Sequence, residues 1–282
     1  MSVGIIISTG HQVSQISVAA LLVALKNIPV LDAAIPEQAY TKLRSALGSS
    51  RKMEAILRIV TEHYARVDEI FRQGVAACPS GIPCKAGCSY CCHYKTDVMP
   101  WEVFLLVAYL RKYLTAEQLA DVQKRAEANR EAIRGMTFDQ HVGAQLPCPL
   151  LRDGQCIAYK ARPDACRTHQ SQTIAPCLRA YTHPNDSTNQ SDPIPRLRIL
   201  LTAVGHAADQ AFSAAGYDAR SYDLSCALVE ALTNPKCAKR WRRGKQAFSN
   251  ASLSTPFGEH DVMAKAMFNP APQGVTSVKS SI

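Results

Sequence analysis

A chain of 282 residues, 47% hydrophobic and 20% charged, is long enough for a buried core and reads as ordinary globular protein, not as disordered or membrane-spanning. The formal net charge of +9 keeps a polyanionic partner open. The eleven cysteines cannot all pair with one another. In a chain read as cytoplasmic they are metal ligands or reactive thiols rather than a disulfide framework.

In chain order, residues 1–35 form a poorly specified lead segment. Its apolar run at 16–25 is too short to span a bilayer and has no basic residue before it, so neither a membrane anchor nor a secretory leader is expected. From Arg51 to Gly74, Met53, Leu57, Val60, Tyr64, Val67 and Phe71 alternate four and three apart, the stripe of an amphipathic helix. Residues 100–114 read as a buried helix that Pro100 starts. Thr115 and Gln118 form a capping box for the next one, so an antiparallel helix pair is expected. A polar, proline-bearing loop at 182–195 precedes helical patterns at 196–214 and 221–233. Residues 36–248 are read as one domain and 249–282 as a largely disordered tail. The fold class is mainly α: a single helical domain with irregular cysteine-rich loops and one short β-hairpin.

The stretch "PCKAGCSYCCHY" places Cys84, Cys88, Cys91 and Cys92 within nine residues. If Pro83 opens a helical turn, Cys84, Cys88 and Cys91 share a face and Cys92 stands off it. If the stretch is a knuckle-like loop, Gly87 supplies the tight backbone and Cys92 joins the others. Small core residues do not need to recur this closely in a polar stretch, so metal binding is the reading of this cluster.

The second stretch, "CPLLRDGQCIAYKARPDACR", carries Cys148, Cys156 and Cys166. Asp153-Gly154 is a type I′ hairpin signal that sets Leu151 opposite Cys156. Pro147 and Pro149 bend the strand and free Cys148 to turn inward. Pro163 starts a helix with Cys166 in its first turn, where the dipole favours a thiolate, and Arg162 and Arg167 add positive charge around the site.

These residues, ending in "ARPDACR", resemble the YkgJ-like family of cysteine-cluster proteins, of CxxCxxCC type, described as zinc- or iron-chelating. The resemblance covers roughly residues 78–168. The first cluster departs from the pattern, with three residues between Cys84 and Cys88 where many members have two. Some relatives are labelled flagellin lysine methylases and are thought to carry an iron–sulfur cluster. The resemblance therefore implies a metal site and a protein-modifying activity such as lysine methylation, on a protein substrate or with a protein partner.

One structural zinc or one [4Fe–4S] cluster takes four thiolates, whereas these stretches offer seven. Two sites, one cluster with spare thiols, or several metals sharing bridging thiolates all satisfy that count. An iron–sulfur cluster is the first expectation and zinc in a structural interaction module the alternative. Cys92 is the candidate spare thiol. Cys78, Cys177, His93 and His169 are read as bystanders, and Cys226 and Cys237 as core. A helix through "KCAKRWRRGKQAF" is expected to bury Cys237, Trp241 and Phe248 and to expose Lys236, Lys239, Arg240 and Arg243. That basic face makes nucleic acid a weaker alternative partner. No phosphate-binding loop, dinucleotide fingerprint, nucleophile elbow or H-E-x-x-H motif is present, so any catalysis runs through the metal or its thiols.

Overall fold

The computed structural model describes residues 4–7, 14–17, 34–48, 51–78, 81–186 and 192–251. Residues 18–33, with most of the apolar run at 16–25, and the tail beyond 251 lie outside the described residues. Near the start, β1 (Gly4–Ile7) pairs antiparallel with β2 (Ser14–Ser17). The rest of the described chain is mainly α, as expected.

Helix α1 (Ala34–Leu47) leads to α2 (Met53–Ala76), which buries Ile56, Ile59, Val60, His63, Tyr64 and Val67. The helix is the expected one, but its buried stripe is rotated. Met53, Leu57 and Phe71 lie at its edge, because α2 is packed on more than one side, against α1 and against two helices described next. Helix α3 (Pro100–Tyr113) begins at Pro100, where Glu102 accepts a hydrogen bond from the Met99 amide at 2.7 Å. Helix α4 (Ala116–Ala132) opens on the expected capping box, with the Gln118 amide 3.2 Å from Thr115 Oγ1 and the Thr115 amide 3.0 Å from Gln118 Oε1.

A longer helix, α8 (Pro195–Ala214), packs on α1 and α2 around Val67, Leu200, Leu201 and Val204. Helix α9 (Leu224–Thr233) is apolar on nearly every side. The antiparallel pair expected of α3 and α4 is corrected: both pack against α9 far more than against each other. Helix α4 buries only Val122 and Ala126 and has too little apolar surface for two neighbours. An aromatic centre closes the core. Trp101 stacks on Phe212 at 4.1 Å between ring centroids, and Trp241 donates its indole N–H to the Asp218 carbonyl at 3.0 Å. Full burial of a side chain such as Phe212 contributes about 2 kcal/mol.

Helix α10 (Lys236–Arg242) is shorter than its pattern implied, because the chain turns at Gly244, whose φ is +71°. Cys237, Trp241 and Phe248 are buried as expected. The exposed basic face is corrected at Arg240. Its guanidinium donates to buried Glu230 at 2.6 Å and to the Ala247 carbonyl at 2.7 Å, and so fastens the chain after the helix.

Between these helices lie the cysteine-bearing loops, the short helix α5 (Phe138–Gly143) and two two-stranded ladders. Strand β3 (Asp97–Val98) pairs with β6 (Tyr222–Asp223), Asp97 opposite Asp223. This ladder ties the end of the first cysteine loop to the start of α9. The expected hairpin joins β4 (Leu151–Arg152) to β5 (Gln155–Cys156), with Leu151 opposite Cys156. Asp153 and Gly154 have φ of +50° and +72°, the signature of a type I′ turn.

Candidate metal centre

The first cysteine stretch is a loop, which decides between its two readings. The Cys88 amide closes a turn on the Lys85 carbonyl at 3.0 Å, and Gly87 has φ of +91°, open to glycine at little cost. The third residue between Cys84 and Cys88 is absorbed in that turn. Only Tyr90–His93 is helical, a single 3₁₀ turn that carries Cys91 and Cys92. The second stretch is bound to it directly: the Cys148 amide donates to the Cys92 carbonyl at 2.7 Å. Cys148 itself precedes β4, in a turn closed by the Leu151 amide on the Cys148 carbonyl at 2.9 Å, so the expected bend at Pro147 and Pro149 is present.

Cys166 lies in the first turn of α6 (Asp164–Thr168), behind Pro163. The expectation that the helix dipole would favour its thiolate is overturned. Burial pushes the Cys166 thiol up to about 12, helped by the neighbouring Cys156 and Cys92, and only Arg162 opposes the rise. Arg162 is thus the expected cation beside the thiols, with its guanidinium stacked 4.0 Å over the Tyr159 ring. Arg167 is not. Its buried guanidinium pairs with Asp68 of α2, lies 4.2 Å over the Tyr64 ring and donates to the carbonyls of Lys160 at 2.8 Å and Arg162 at 3.3 Å. From the other side, Glu102 Oε1 accepts the Asp164 amide at 2.7 Å and the Tyr64 hydroxyl at 3.0 Å. The "ARPDACR" segment is therefore clamped to α2 and α3, and Cys166 is held in place by side chains remote in sequence.

The thiols fall into two groups. Cys92, Cys148, Cys156 and Cys166 form the first, in which every pairing of the four is within electrostatic range. Burial raises Cys148 and Cys156, while the Leu150 and Ala158 N–H groups, each two residues after a cysteine, face the two sulfurs and oppose the rise. Such N–H groups stabilise a thiolate once it forms. Cys84, Cys88 and Cys177 form the second group, again with every pairing in range. Here the Ser171 amide donates to Cys84 Sγ at 3.4 Å. Cys91 borders both groups, with Cys92 and Cys166 on one side and Cys88 on the other. Its thiol donates to Cys92, which raises Cys91 and lowers Cys92.

Two sequence expectations change here. Cys92 sits among three other thiols instead of standing aside. Cys177, read as a bystander, is buried on α7 (Ala175–Thr182) within electrostatic range of Cys84 and Cys88, a proximity that no motif signals. The Cys78 sulfur lies 3.7 Å from the Gly81 carbonyl oxygen. Among the histidines, His93 Nδ1 is 3.2 Å from the Ser89 carbonyl and its ring meets Tyr181 at 4.9 Å, a structural role. His169 packs edge-on to Tyr94 at 6.0 Å between ring centroids, with its buried Nε2 unpartnered. Cys226 and Cys237 are core residues, as expected.

All eleven cysteines are free thiols. Among the described residues, no three His, Cys, Asp or Glu side chains are placed so that they could hold a metal ion, so the cysteines are neighbours and not a formed site. The donor chemistry nonetheless fits a thiophilic metal: sulfur atoms only, half-buried, brought together from separate segments, several with N–H groups aimed at them. Beside Cys148, a cleft lined by Lys95, Asn129, His141, Asp223 and Ser225 opens to the surface. In it His141 Nε2 is 3.7 Å from Asp223 Oδ2.

No helix among the described residues is long and apolar enough to cross a membrane. No curated protein and no solved structure matches the chain. Residues 83–191, which contain Cys177 and all seven cysteines singled out in the two stretches, match the family model CxxCxxCC, "Putative zinc- or iron-chelating domain".

Proposed function

We propose that this protein holds a cysteine-ligated iron–sulfur cluster on Cys92, Cys148, Cys156 and Cys166. The supporting observation is the mutual proximity of these four thiols, drawn from three separate segments, with backbone N–H groups facing two of the sulfurs. An all-sulfur, four-fold donor set is what a [4Fe–4S] cluster takes, and the cluster when bound supplies electron transfer or a Lewis-acidic iron. The protein's own part is to shield the sulfurs, hold Cys166 through the Arg167 clamp and place Arg162 against the negative charge that four thiolates bring. A role in redox chemistry or in modifying a protein substrate is supported by the cleft against Cys148, where a substrate group would meet the centre.

The second reading, a structural zinc that braces an interaction surface, is favoured by the same tetrad, since four cysteines are a closed zinc set. Purification without oxygen, with iron, zinc and acid-labile sulfide measured per chain, separates the two. The iron–sulfur reading expects a brown protein with iron and sulfide in equal amounts. Colourless, folded protein with stoichiometric zinc and no iron would replace it with the zinc reading.

A further inference from the structure

We propose that the surface formed by α10, the turn after it and the start of α2 binds the phosphate backbone of double-stranded nucleic acid without reading its sequence. Residues 231–250 hold six Lys or Arg and no Asp or Glu. Among the described residues, Arg240 alone of the six pairs with an acid, the buried Glu230. Lys236, Lys239 and Arg243 recur three and four residues apart, are exposed, and lie on the other side from the buried Cys237 and Trp241. Lys245 is exposed in the turn that follows. Arg242 donates to the Arg51 carbonyl at 3.2 Å and so joins this segment to Arg51 and Lys52, two exposed cations just before α2.

The fold leaves this charge uncompensated. The carboxylates that the segment touches are buried and taken: Glu230 by Arg240 and the Ser249 and Asn250 amides, Asp218 by Arg220, Tyr222 and the Ala247 amide. The Arg51 guanidinium is fixed 4.2 Å over the Tyr217 ring and by the Ala215 carbonyl at 2.8 Å, and Arg242 Nε is buried with no hydrogen-bond partner. Cations held this close repel one another, and a polyanion relieves the repulsion. The rest of the surface selects the class of polyanion. Among the described residues, no large apolar side chain is exposed on these segments; those that are exposed, such as Phe138, Leu178 and Tyr181, lie on other elements. A membrane-binding face sets apolar side chains beside its cations, a protein interface has an apolar centre, and a single strand is held by aromatic rings under its bases. Lys and Arg alone match a duplex backbone, whose phosphates accept such side chains irrespective of sequence. The thiols lie elsewhere: α2 runs 24 residues, about 36 Å, from Lys52 towards Cys78, so this surface does not depend on the metal-centre reading.

The test is fluorescence anisotropy of a labelled DNA duplex of mixed sequence, about 20 base pairs long, titrated with the full chain between about 50 and 200 mM KCl. With about four phosphates engaged, the slope of log K against log salt is about −3.6, and affinity falls about a hundredfold over that range. A duplex of unrelated sequence is expected to bind equally. The double variant Lys239→Gln, Arg243→Gln should weaken both duplexes alike and bring the slope to about −1.8. The control Arg72→Gln, Arg134→Gln removes as much charge from exposed positions on α2 and after α4, and should leave affinity within about twofold. No duplex binding at the lowest salt, or an equal loss in the two double variants, would overturn the proposal. Adsorption to vesicles of phosphatidylcholine and phosphatidylserine without duplex binding would assign the surface to a membrane instead.

Discussion

The amide of Cys148 donates to the carbonyl of Cys92 at 2.7 Å, and this one bond joins the two cysteine stretches. Cys148 thereby comes within range of Cys92, Cys156 and Cys166. Burial that keeps these thiols neutral has a consequence for metal uptake. Cys166, pushed up to about 12, together with Cys148 and Cys156, carries its proton at neutral pH, and each must lose it to bind a metal. Metal affinity should therefore rise with pH, by about tenfold or more per unit between pH 6.5 and 8. Competition against a chromophoric chelator measures it. A flat profile would mean that the thiols are already ionised.

The Asp68–Arg167 pair is asymmetric. Arg167 is 2% exposed at its side chain and Asp68 is 48% exposed. Asp68→Ala leaves a guanidinium buried without its counter-charge and is expected to cost about 3 kcal/mol. Arg167→Met leaves a carboxylate that can turn to water, and it removes the donor from two carbonyls. About 2 kcal/mol is expected. Chemical denaturation should show the double variant less destabilised than the sum of the two, because the second change removes a group that the first had already stranded.

Glu102 sets a pH dependence of stability. Burial, and then the charge of Asp164, push its carboxyl up to about 7, while its bonds from Met99, Asp164 and Tyr64 oppose the rise. In the unfolded chain the group titrates at about 4.3. Between these values the folded state holds a proton that the unfolded state has lost. Stability contributed by Glu102 is therefore complete below about pH 4 and is lost as pH rises through about 7. A fall on the order of 2 kcal/mol from pH 5 to 7.5 is expected in the wild type and is absent from Glu102→Gln. Parallel denaturation curves for the two proteins across that range would count against it.

Arg240 supports the fold and is a poor probe of polyanion binding. Its partner Glu230 is 4% exposed and also accepts the Ser249 and Asn250 amides at 3.1 and 2.9 Å. Arg240→Gln should destabilise the protein by about 2 kcal/mol. Arg243 is exposed, and Arg243→Gln should change stability by less than about 0.5 kcal/mol. Thermal melts distinguish the two. Equal, small shifts would contradict the role given to Arg240.

What could be read from the sequence was local. Helices α2, α3 and α4 followed from spacing, Pro100 and the Thr115–Gln118 box, and the hairpin from Asp153-Gly154, because those signals act within a turn or two of chain. The sulfur-rich chemistry was equally plain, since seven cysteines in two short stretches need no tertiary information to suggest a metal. Grouping the thiols did need it. Cys177 lacks a motif, and only the docking of α7 on the Tyr90–His93 turn brings it to Cys84 and Cys88. Arg167 belongs to the same "ARPDACR" run as Arg162, and both guanidinium groups reach Asp68, yet only Arg162 also acts on the Cys156 and Cys166 thiols. Which way a long side chain turns depends on the elements packed around it, and here those are α2 and α3, contributed by residues far away in the chain. Burial works likewise: it outweighs the helix dipole at Cys166, and its extent is a property of the assembled core rather than of any window of sequence.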